Sequence, residues 1–410
     1  MNKFLLFLCI STVFFACSKT PVSTGTDQSA SVKTFSTEAG LSLASMEKTS
    51  DGGFIFSGHA LKGAGQKDAG FLMKTDANGN ELWRKFYGDS GTNVFSMAHQ
   101  TSDGGYIAVG YTTGLGHGAA RKDYYPDGWI VKTDANGNLT WQRTYGDIYY
   151  DDFVDVQEIP HIGFVAVGTI QQYNSFDYLY VDEFWLEKTD FNGNNSIGHV
   201  AFTSYFSCDA KSVALAPDGT VGIAGRISSS SSPGWYYHPV FLRISADCNT
   251  LLDTALWAFS TDPLMKLKGT SSGFILGLHE NHSNSISTDL IKLDSHGDIL
   301  WQKYYPESLS FSNVSNGPKN GYTIIGDNSS GIQSAQATQV DTNGNTIAIA
   351  NCPVTAPNAL HGATTTTINS VPTATGWAFA VSVTPTFIHR NSSFALIFTD
   401  QNGKIIENGK

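Results

Sequence analysis

The sequence predicts an all-β fold, a seven-bladed β-propeller whose blades each contain four antiparallel strands. Two short turn motifs alternate along the chain, seven copies of each, at intervals of about 50 residues, which is typical of propeller blades. The 410 residues are too many for one simple hydrophobic core. Glycine and aromatic residues are abundant, only 15% of the residues are charged, and no segment has helical periodicity.

Residues 1–16 have the features of a secretory signal peptide. Lys3 precedes an apolar run, Phe4–Phe15, that is too short to cross the ~30 Å core of a bilayer. Ala16 and Cys17 resemble the lipobox of bacterial lipoproteins, in which a small residue precedes the acylated cysteine. The resemblance implies cleavage before Cys17, a lipid on its thiol and a location at the bacterial outer membrane, on the periplasmic or the cell-surface side. An ordinary signal peptide with another cleavage site is the alternative.

Residues 17–30 are rich in Ser and Thr and have no apolar pattern, which predicts a flexible tether. The propeller is predicted over residues 31–410. Its first marker is the glycine of an Asp-Gly-Gly type turn, followed by an apolar strand, at Gly53, Gly105, Gly163, Gly219, Gly273, Gly321 and Gly376. The second marker is Lys-Thr-Asp-Ala-Asn-Gly-Asn, found at Lys74–Asn80 and Lys132–Asn138 and in weaker copies further on. Together they predict blades at about 40–92, 93–150, 151–206, 207–258, 259–308, 309–352 and 353–410.

The second marker predicts a tight turn between the third and fourth strands of a blade. Its Asp side chain can accept backbone N–H groups two residues on, and Asn-Gly supplies the positive φ of a hairpin. Trp83, Trp141 and Trp301 follow the turn and are predicted to pack between neighbouring blades. Calcium binding is the alternative, because Asp and Asn oxygens alternate, but the bidentate Glu of a calcium loop is missing. The sequence therefore favours a structural turn and predicts no metal.

Ring closure requires that the last blade be joined to the first, because an open ring leaves sheet edges exposed. The last repeat ends early, and Ser31–Phe35 resembles the end of a fourth strand such as Arg84–Tyr87. This N-terminal segment is therefore predicted to complete the seventh blade. Once the signal peptide and the lipidated residue are set aside, Cys208, Cys248 and Cys352 remain, predicted as buried small hydrophobes, with one disulfide left open.

These repeats resemble a family of secreted and surface propeller proteins of Bacteroidetes-type bacteria. The family's pattern is Asp-Gly-Gly-Tyr-Ile, then Gly, then Trp-Leu-Val-Lys-Thr-Asp-x-x-Gly-Asn-x-x-Trp, and its likeness implies the fold and an envelope location but no defined ligand. Asp76–Trp83 is also similar to the tryptophan-docking repeat of quinoproteins, and Thr49–Phe54 to the Asp-box of sialidases. Only three of the tryptophans are kept and the six arginines form no sialidase pattern, so neither a quinone cofactor nor sialidase activity is predicted.

The loops between second and third strands vary most, and they are predicted to lie on one face of the ring, opposite the stereotyped turns. Binding residues concentrate on variable loops over a rigid scaffold. Aromatic rings with polar ends, charged groups and histidines on these loops make up the candidate ligand-binding set: Arg121, Tyr124, Tyr125, Tyr178, Tyr180, Trp235, Tyr236, Tyr237, His238, His279 and His282. The alternative is that the loops bury their own aromatic rings. The His279–His282 pair on its loop lacks a third metal ligand.

A formal net charge of −11 argues against nucleic acid as a partner, since phosphate binding depends on Lys and Arg. Gly269–Gly273 reads Gly-x-Ser-x-Gly, but a strand follows it rather than the helix of a nucleophile elbow. The predicted function is binding of a glycan, a peptide or an envelope protein by a propeller anchored in the membrane through lipid on Cys17. A structural subunit of an outer-membrane complex is the first alternative. A polysaccharide hydrolase or lyase is the second, because Asp151, Asp152 and Asp155 lie close together in sequence.

Overall fold

The computed structural model describes residues 32–37, 40–61, 68–89, 91–116, 125–174, 179–194, 197–200, 207–231, 234–256, 264–282, 285–306, 309–317, 320–328, 334–353, 363–373, 376–385, 392–402 and 404–406. Within these ranges the 28 elements are all β-strands, and they form seven four-stranded antiparallel sheets arranged as a propeller. The predicted fold is confirmed. In the same ranges, no helix has the length and apolar character that a membrane crossing requires.

Each sheet is a simple meander that starts at the centre of the ring. Blade 1 contains β2 Leu41–Lys48, β3 Phe54–Ala60, β4 Ala69–Thr75 and β5 Glu81–Tyr87; blade 2 contains β6 Asn93–Gln100, β7 Tyr106–Thr112, β8 Asp127–Thr133 and β9 Leu139–Tyr145. Blade 3 contains β10 Asp151–Ile159, β11 Gly163–Asn174, β12 Leu179–Thr189 and β13 Ile197–Val200; blade 4 contains β14 Cys208–Leu215, β15 Val221–Ser231, β16 Gly234–Ile244 and β17 Leu251–Leu256.

The remaining blades follow the same order, except for the origin of the last strand. Blade 5 contains β18 Met265–Thr270, β19 Gly273–His282, β20 Ser285–Leu293 and β21 Ile299–Pro306; blade 6 contains β22 Leu309–Asn316, β23 Tyr322–Asn328, β24 Ser334–Val340 and β25 Thr346–Pro353. Blade 7 contains β26 Ala363–Pro372, β27 Gly376–Pro385, β28 Ser393–Asp400 and, as its outer strand, β1 Val32–Phe35. The first strands of successive blades contact one another around the ring and line its central channel.

The N-terminal segment closes the ring, as predicted. β1 pairs antiparallel with β28, from Val32 opposite Ile397 to Phe35 opposite Phe394. The Phe35 ring is buried, and its centroid lies 5.0 Å from that of Phe394 in a stacked arrangement. The outer strand of blade 7 therefore comes from the start of the chain, while the other six blades take theirs from their own repeat.

Six of the seven first strands contain a β-bulge near their middle. In blade 1 the bulge follows Leu43, which is paired with Gly58, and a Cβ on that glycine would lie 2.0 Å from the carbonyl oxygen of Ser42. The glycine therefore gives the bulged strand its space. The bulge turns the next side chain into the contact between adjacent blades. This side chain is polar and buried in most blades: Ser45, Asp155, Ser212, Asn313 and Asn369.

Several of these buried polar side chains form hydrogen bonds to a neighbouring blade. Asn369 Nδ2 of blade 7 donates to Met46 O of blade 1 at 2.6 Å. Ser45 Oγ accepts from Ala98 N of blade 2 at 3.3 Å. Since buried polar groups are tolerated only when they are bonded, these contacts help to fix the angle between blades.

The Asp-x-Asn-Gly-Asn turn has the predicted Asx geometry. Asp76 Oδ1 accepts from Asn78 N at 2.9 Å and from Asn80 N at 2.8 Å, and Oδ2 accepts from Asn80 Nδ2 at 2.9 Å. The positive φ lies on Gly79 (75°) and not on Asn78, so the prediction holds for the glycine alone. Both carboxylate oxygens are used within the turn, which supports a structural role. In blade 4, Cys248 occupies the glycine position with φ 61°.

The tryptophans that follow three of these turns, Trp83, Trp141 and Trp301, pack on the turn of the next blade, as predicted. A Cβ on Gly137 would lie 2.8 Å from the Trp83 ring, and Tyr87 Oη donates to Gly137 O at 2.6 Å. Trp141 Nε1 donates to Phe191 O of blade 3, and Trp301 Nε1 to Thr342 O of blade 6. The repeated motif is thus an inter-blade clasp, in which an indole and a phenol from one blade hold the turn of its neighbour.

The three cysteines are buried free thiols, which confirms their prediction as small hydrophobes. Burial raises the pKa of Cys208 to about 12, that of Cys248 to about 11 and that of Cys352 to about 12. A thiol must ionise to act as a nucleophile, so these groups are inert at neutral pH.

Candidate functional site

The variable loops are shorter than predicted, because the second and third strands extend into them as long hairpins. Residues 169–183, 226–238 and 277–288 belong largely to paired strands of blades 3, 4 and 5. His279 is therefore a half-buried strand residue opposite Thr288, and His282 pairs with Ser285 at the hairpin end. The prediction that this histidine pair lies on a loop is wrong, since backbone pairing continues almost to the hairpin tip.

The other predicted ligand residues that the structure describes belong to blades 2, 3 and 4. Arg121, Tyr124 and Tyr178 lie outside the described residues. Trp235 and Tyr236 belong to β16 and pair with Ser230 and Ser229, and His238 pairs with Ile227. Tyr237 is half-buried, and the Arg226 guanidinium lies 4.2 Å from its ring centroid. That ring is already occupied by a cation–π contact, which reduces its availability to a ligand.

Tyr180 lies in a cluster of three tyrosines at the hairpin end of blade 3. Its ring centroid is 5.3 Å from Tyr173 and 5.3 Å from Tyr149, and Tyr149 and Tyr173 are 6.5 Å apart. Tyr173 and Tyr180 are exposed, and so are Tyr150, which follows Tyr149 in the chain, and Tyr125. Pro126 O accepts from Asp151 N at 2.9 Å, which places Tyr125 beside the loop that carries Tyr149. We call Tyr149, Tyr173 and Tyr180 the tyrosine cluster.

Amide and carboxylate groups border the tyrosine cluster. Gln172 Nε2 donates to Asp147 Oδ2 at 3.1 Å, and Gln171 Nε2 donates to Asp182 Oδ1 at 3.0 Å. Asp147 Oδ1 also accepts from Tyr149 N at 3.0 Å, which holds the loop under the ring. The patch combines flat exposed rings with hydrogen-bonding groups, the combination that suits recognition of polar ligands.

Two neighbouring aspartates have raised pKa values. Burial, together with the charges of Asp147 and Asp127, raises the pKa of Asp151 to about 7 despite backbone donors. Burial raises the pKa of Asp152 to about 6, although Lys211 opposes the shift. Asp151 anchors the inter-blade loop, as Asn93 does in blade 2, where Asn93 Nδ2 donates to Gly91 O at 2.7 Å. The raised pKa of Asp151 therefore follows from a structural position.

A second group of charged residues lines the central channel, and sequence reasoning did not single it out as a site. Lys268 Nζ of blade 5 lies 3.1 Å from Glu47 Oε1 of blade 1, across the ring. Asp155 Oδ1 lies 3.3 Å from His99 Nε2, and Asp155 Oδ2 accepts from Ser212 Oγ at 2.8 Å. Burial alone would raise the pKa of Asp155, but the His99 contact and nearby lysines hold it well below its usual range. In the sequence, the signal for this group is the presence of charged residues at inward-facing positions of the otherwise apolar first strands.

The Ser212, Asp155 and His99 arrangement is not a catalytic triad. In a triad the histidine bonds the nucleophile and the acid orients the histidine. Here Asp155 lies between the other two and also accepts from Val213 N at 3.1 Å. The group is a structural connector of blades 2, 3 and 4. At Gly269–Gly273, β18 leads through a turn into β19, so the Gly-x-Ser-x-Gly pattern is not a nucleophile elbow.

A cavity of about 390 Å³ opens at the other mouth of the channel, on the face of the short turns. Its polar lining consists of Gln157, Lys268, Thr270, Ser271 and Asn316. Leu215, Ala216 and Pro217 form its apolar wall. The sequence directed attention only to the opposite face, because the turn motifs there are short and repetitive. Within the described ranges, no group of three His, Cys, Asp or Glu side chains could hold a metal ion.

No protein-family model and no curated protein matches this chain. Among solved structures, it is similar to a protein of unknown function from Dyadobacter fermentans, with TM-score 0.47 and 11% identity over 78% of this chain and 96% of that one. A protein of unknown function from Bacteroides caccae has TM-score 0.39 and 10% identity, over 68% and 89%. Sqt1 from Chaetomium thermophilum has TM-score 0.42 and 10% identity, over 88% and 95%.

Proposed function

We propose that this propeller is a lipid-anchored binding protein of a bacterial outer envelope, and that its ligand is a neutral glycan bound on the hairpin face of blades 2 and 3. The propeller fold itself suggests a binding or scaffold module. The observation that carries the proposal is the tyrosine cluster, in which Tyr173 and Tyr180 are exposed, with its bordering amides and carboxylates. Sugar rings present C–H faces that stack on aromatic rings and hydroxyls that bond amides and carboxylates.

The charge around the tyrosine cluster narrows the class of ligand. Asp147 and Asp182 border it, where they accept hydrogen bonds from Gln172 and Gln171, and the chain as a whole has a net charge of −11. Acidic groups repel polyanions and give no on-rate advantage to nucleic acids or acidic polysaccharides. A neutral polysaccharide matches both the rings and the charge.

We expect the double substitution Tyr173→Ala and Tyr180→Ala to abolish binding of neutral glycans on a glycan array, because each ring contributes stacking area of a recognition surface. Truncation of a well-placed aromatic residue costs about 2 kcal/mol or more, roughly a thirtyfold loss for one ring. Both residues are exposed, so the melting temperature should change little. Leu139→Ala, at an exposed outer-strand residue, is the matched control. Unchanged glycan binding in the double variant would contradict the proposal.

The anchor is tested separately. We expect Cys17→Ser to move the protein from the membrane pellet to the soluble fraction after ultracentrifugation, because the substitution removes the thiol that would carry the lipid. Cys9→Ser, within the apolar run of the predicted signal, is the matched control and should leave the protein in the pellet. If the Cys17→Ser protein stays in the pellet, the lipid anchor is wrong.

The second candidate is a structural subunit of an envelope complex. The fourth strands carry exposed apolar side chains around the outside of the ring, among them Leu82, Phe86, Leu300, Tyr304 and Ile347. Apolar surface of this kind marks contacts with other proteins. Co-purification from crosslinked membranes, followed by loss of the partner in a Leu300→Asp variant, would favour this candidate over glycan binding.

A further inference from the structure

The buried lysine at the end of the third strand behaves differently in blade 5 from its counterparts in blades 1 and 2. In blade 1, Lys74 Nζ lies 2.8 Å from Asp51 Oδ2, and in blade 2, Lys132 Nζ lies 2.7 Å from Asp103 Oδ2. Both aspartates come from the first turn of the same blade. Each buried ammonium group is therefore neutralised by a carboxylate that is itself exposed at the turn face.

Blade 5 keeps the lysine but lacks the carboxylate. Its first turn is shorter and reads Thr270-Ser271-Ser272-Gly273. Lys292 is 3% exposed and donates to Thr270 Oγ1 at 3.0 Å and Leu293 O at 2.7 Å, with the Ser272 and Phe274 carbonyls at 3.3 and 3.2 Å. Burial lowers the pKa of Lys292 to about 8, and the charge of Asp294 offsets only part of that shift. The ammonium is hydrogen-bonded, but its charge is poorly compensated.

Blade 3 shows that a lysine without a turn aspartate need not be buried. Its first turn, Ile159–Gly163, also has no carboxylate. There the equivalent Lys188 turns outward, is half-buried, and donates to Asp247 O of blade 4 at 2.6 Å. Of these two lysines without a turn aspartate, the one in blade 5 is buried, next to the turn that lines the cavity.

The cavity at this turn is rich in donors. Lys268, Gln157 and Asn316 carry N–H donors and Thr270 and Ser271 carry hydroxyls. Among the described residues that line it, none bears a carboxylate, in a protein whose net charge is −11. Thr270 links the two features, because it lines the cavity and its hydroxyl accepts from Lys292. The volume of about 390 Å³ lies within the range of small-ligand sites, roughly 300–1,000 Å³.

We propose that this cavity binds a small carboxylate-bearing ligand, whose carboxylate at the blade 5 turn takes the place that Asp51 and Asp103 fill in blades 1 and 2. Lys292 supplies positive charge behind the turn that Asp294 compensates only in part, and Lys268, which pairs with Glu47, supplies an ammonium at the cavity wall. The apolar wall of Leu215, Ala216 and Pro217 would cover the uncharged part of the ligand. The site lies on the opposite face from the tyrosine cluster and does not depend on the glycan proposal.

The test uses glucuronate as the probe and glucose as its neutral match, each titrated calorimetrically into the full chain. We expect glucuronate to bind and glucose not to bind. Ser272→Asp restores the Thr-x-Asp turn of blades 1 and 2, so an internal carboxylate should raise the glucuronate Kd about tenfold or more. Ser272→Asn, of the same shape but neutral, should leave the Kd unchanged. Ser272 is exposed, so both variants should fold.

A second variant addresses the cavity wall. Lys268→Met should abolish glucuronate binding, whereas Lys303→Met, on the outer strand of the same blade, should retain it. Because Lys268 also pairs with Glu47, Glu47→Gln is measured alongside: it breaks the same ion pair but should keep or strengthen glucuronate binding. Equal affinity for glucose and glucuronate, no glucuronate binding at all, or a Ser272→Asp variant that binds as well as wild type would overturn the proposal.

Discussion

A chain that begins at Ser36 is expected to melt far below one that begins at Cys17, because it lacks the outer strand of blade 7. Removal of β1 takes away the whole ladder from Val32–Ile397 to Phe35–Phe394. It also removes the buried Phe35 ring from its stack on Phe394. Truncation of a buried phenylalanine alone costs about 3–5 kcal/mol, and the deletion should cost more. The free edge of β28 would also promote aggregation, which light scattering during the melt would detect.

Two point variants separate the effect of losing the β1 contacts from the effect of shortening the chain. Phe35→Ala should lose about 3–5 kcal/mol of unfolding free energy, since it leaves a cavity between Phe56 and Phe394. Thr34→Ala, in the same strand but exposed, should change the free energy by less than about 0.5 kcal/mol. A chain that begins at Val32 should match the longer one. If the chain that begins at Ser36 melts at the same temperature, β1 does not close the ring.

The second large effect is expected at Asp155, where Asp155→Ala should destabilise the propeller by about 3–5 kcal/mol. Its carboxylate accepts from Ser212 Oγ and Val213 N, at 2.8 and 3.1 Å, and contacts His99. The substitution removes this acceptor from both buried donors, so that Ser212 Oγ keeps only the longer bond to Leu267 O at 3.4 Å, and it leaves the charges of Lys266 and Lys268 less compensated. Asp155→Asn keeps the shape and loses only the charge, so a smaller effect is expected. Chemical denaturation at pH 7 measures both.

The stability that Asp155 contributes should depend on pH in a definite direction. The pKa of Asp155 is lowered in the folded protein, so its ionised form contributes stability above its unfolded pKa of about 3.9 and loses it as pH falls toward the folded value. The gap between wild type and Asp155→Ala should therefore be widest at neutral pH and shrink in acid. Asp298→Ala, at an exposed turn residue, should show neither effect. A gap that stays constant down to pH 2 would contradict the role of the charge.

The blade-scale features could be predicted because they depend on contacts that are short in sequence or repeated. The Asx turn is completed within five residues, Asp76–Asn80, so its chemistry is visible in the motif. The alternation of two markers predicted seven blades, and the early end of the last repeat predicted that β1 would fill its place. The clasp of Trp83 on Gly137 follows from one repeat, since the same residue types recur at the same spacing.

The candidate sites could be predicted from the sequence only in small part. The tyrosine cluster was only partly anticipated, through Tyr180, because Tyr149 comes from an inter-blade loop that no motif marks. The candidate histidines were placed on a loop because a run rich in Ser and Asn resembles one, whereas pairing with the neighbouring strand extends β19 to His282. Tertiary pairing overrides local propensity at such hairpin ends.

The sequence by itself determined the repeat, the turn chemistry, the blade count and the ring closure, because each follows from local hydrogen bonding or from periodicity. Only the tertiary structure decided where charge is compensated. The Lys268 and Glu47 side chains are 221 positions apart in sequence and meet because the ring brings blades 1 and 5 to one channel. The missing turn carboxylate at Lys292 can be recognised only once Lys74 and Lys132 are seen to bond their turn aspartates. Coulombic pairing depends on distance in space, and closure of the ring sets those distances.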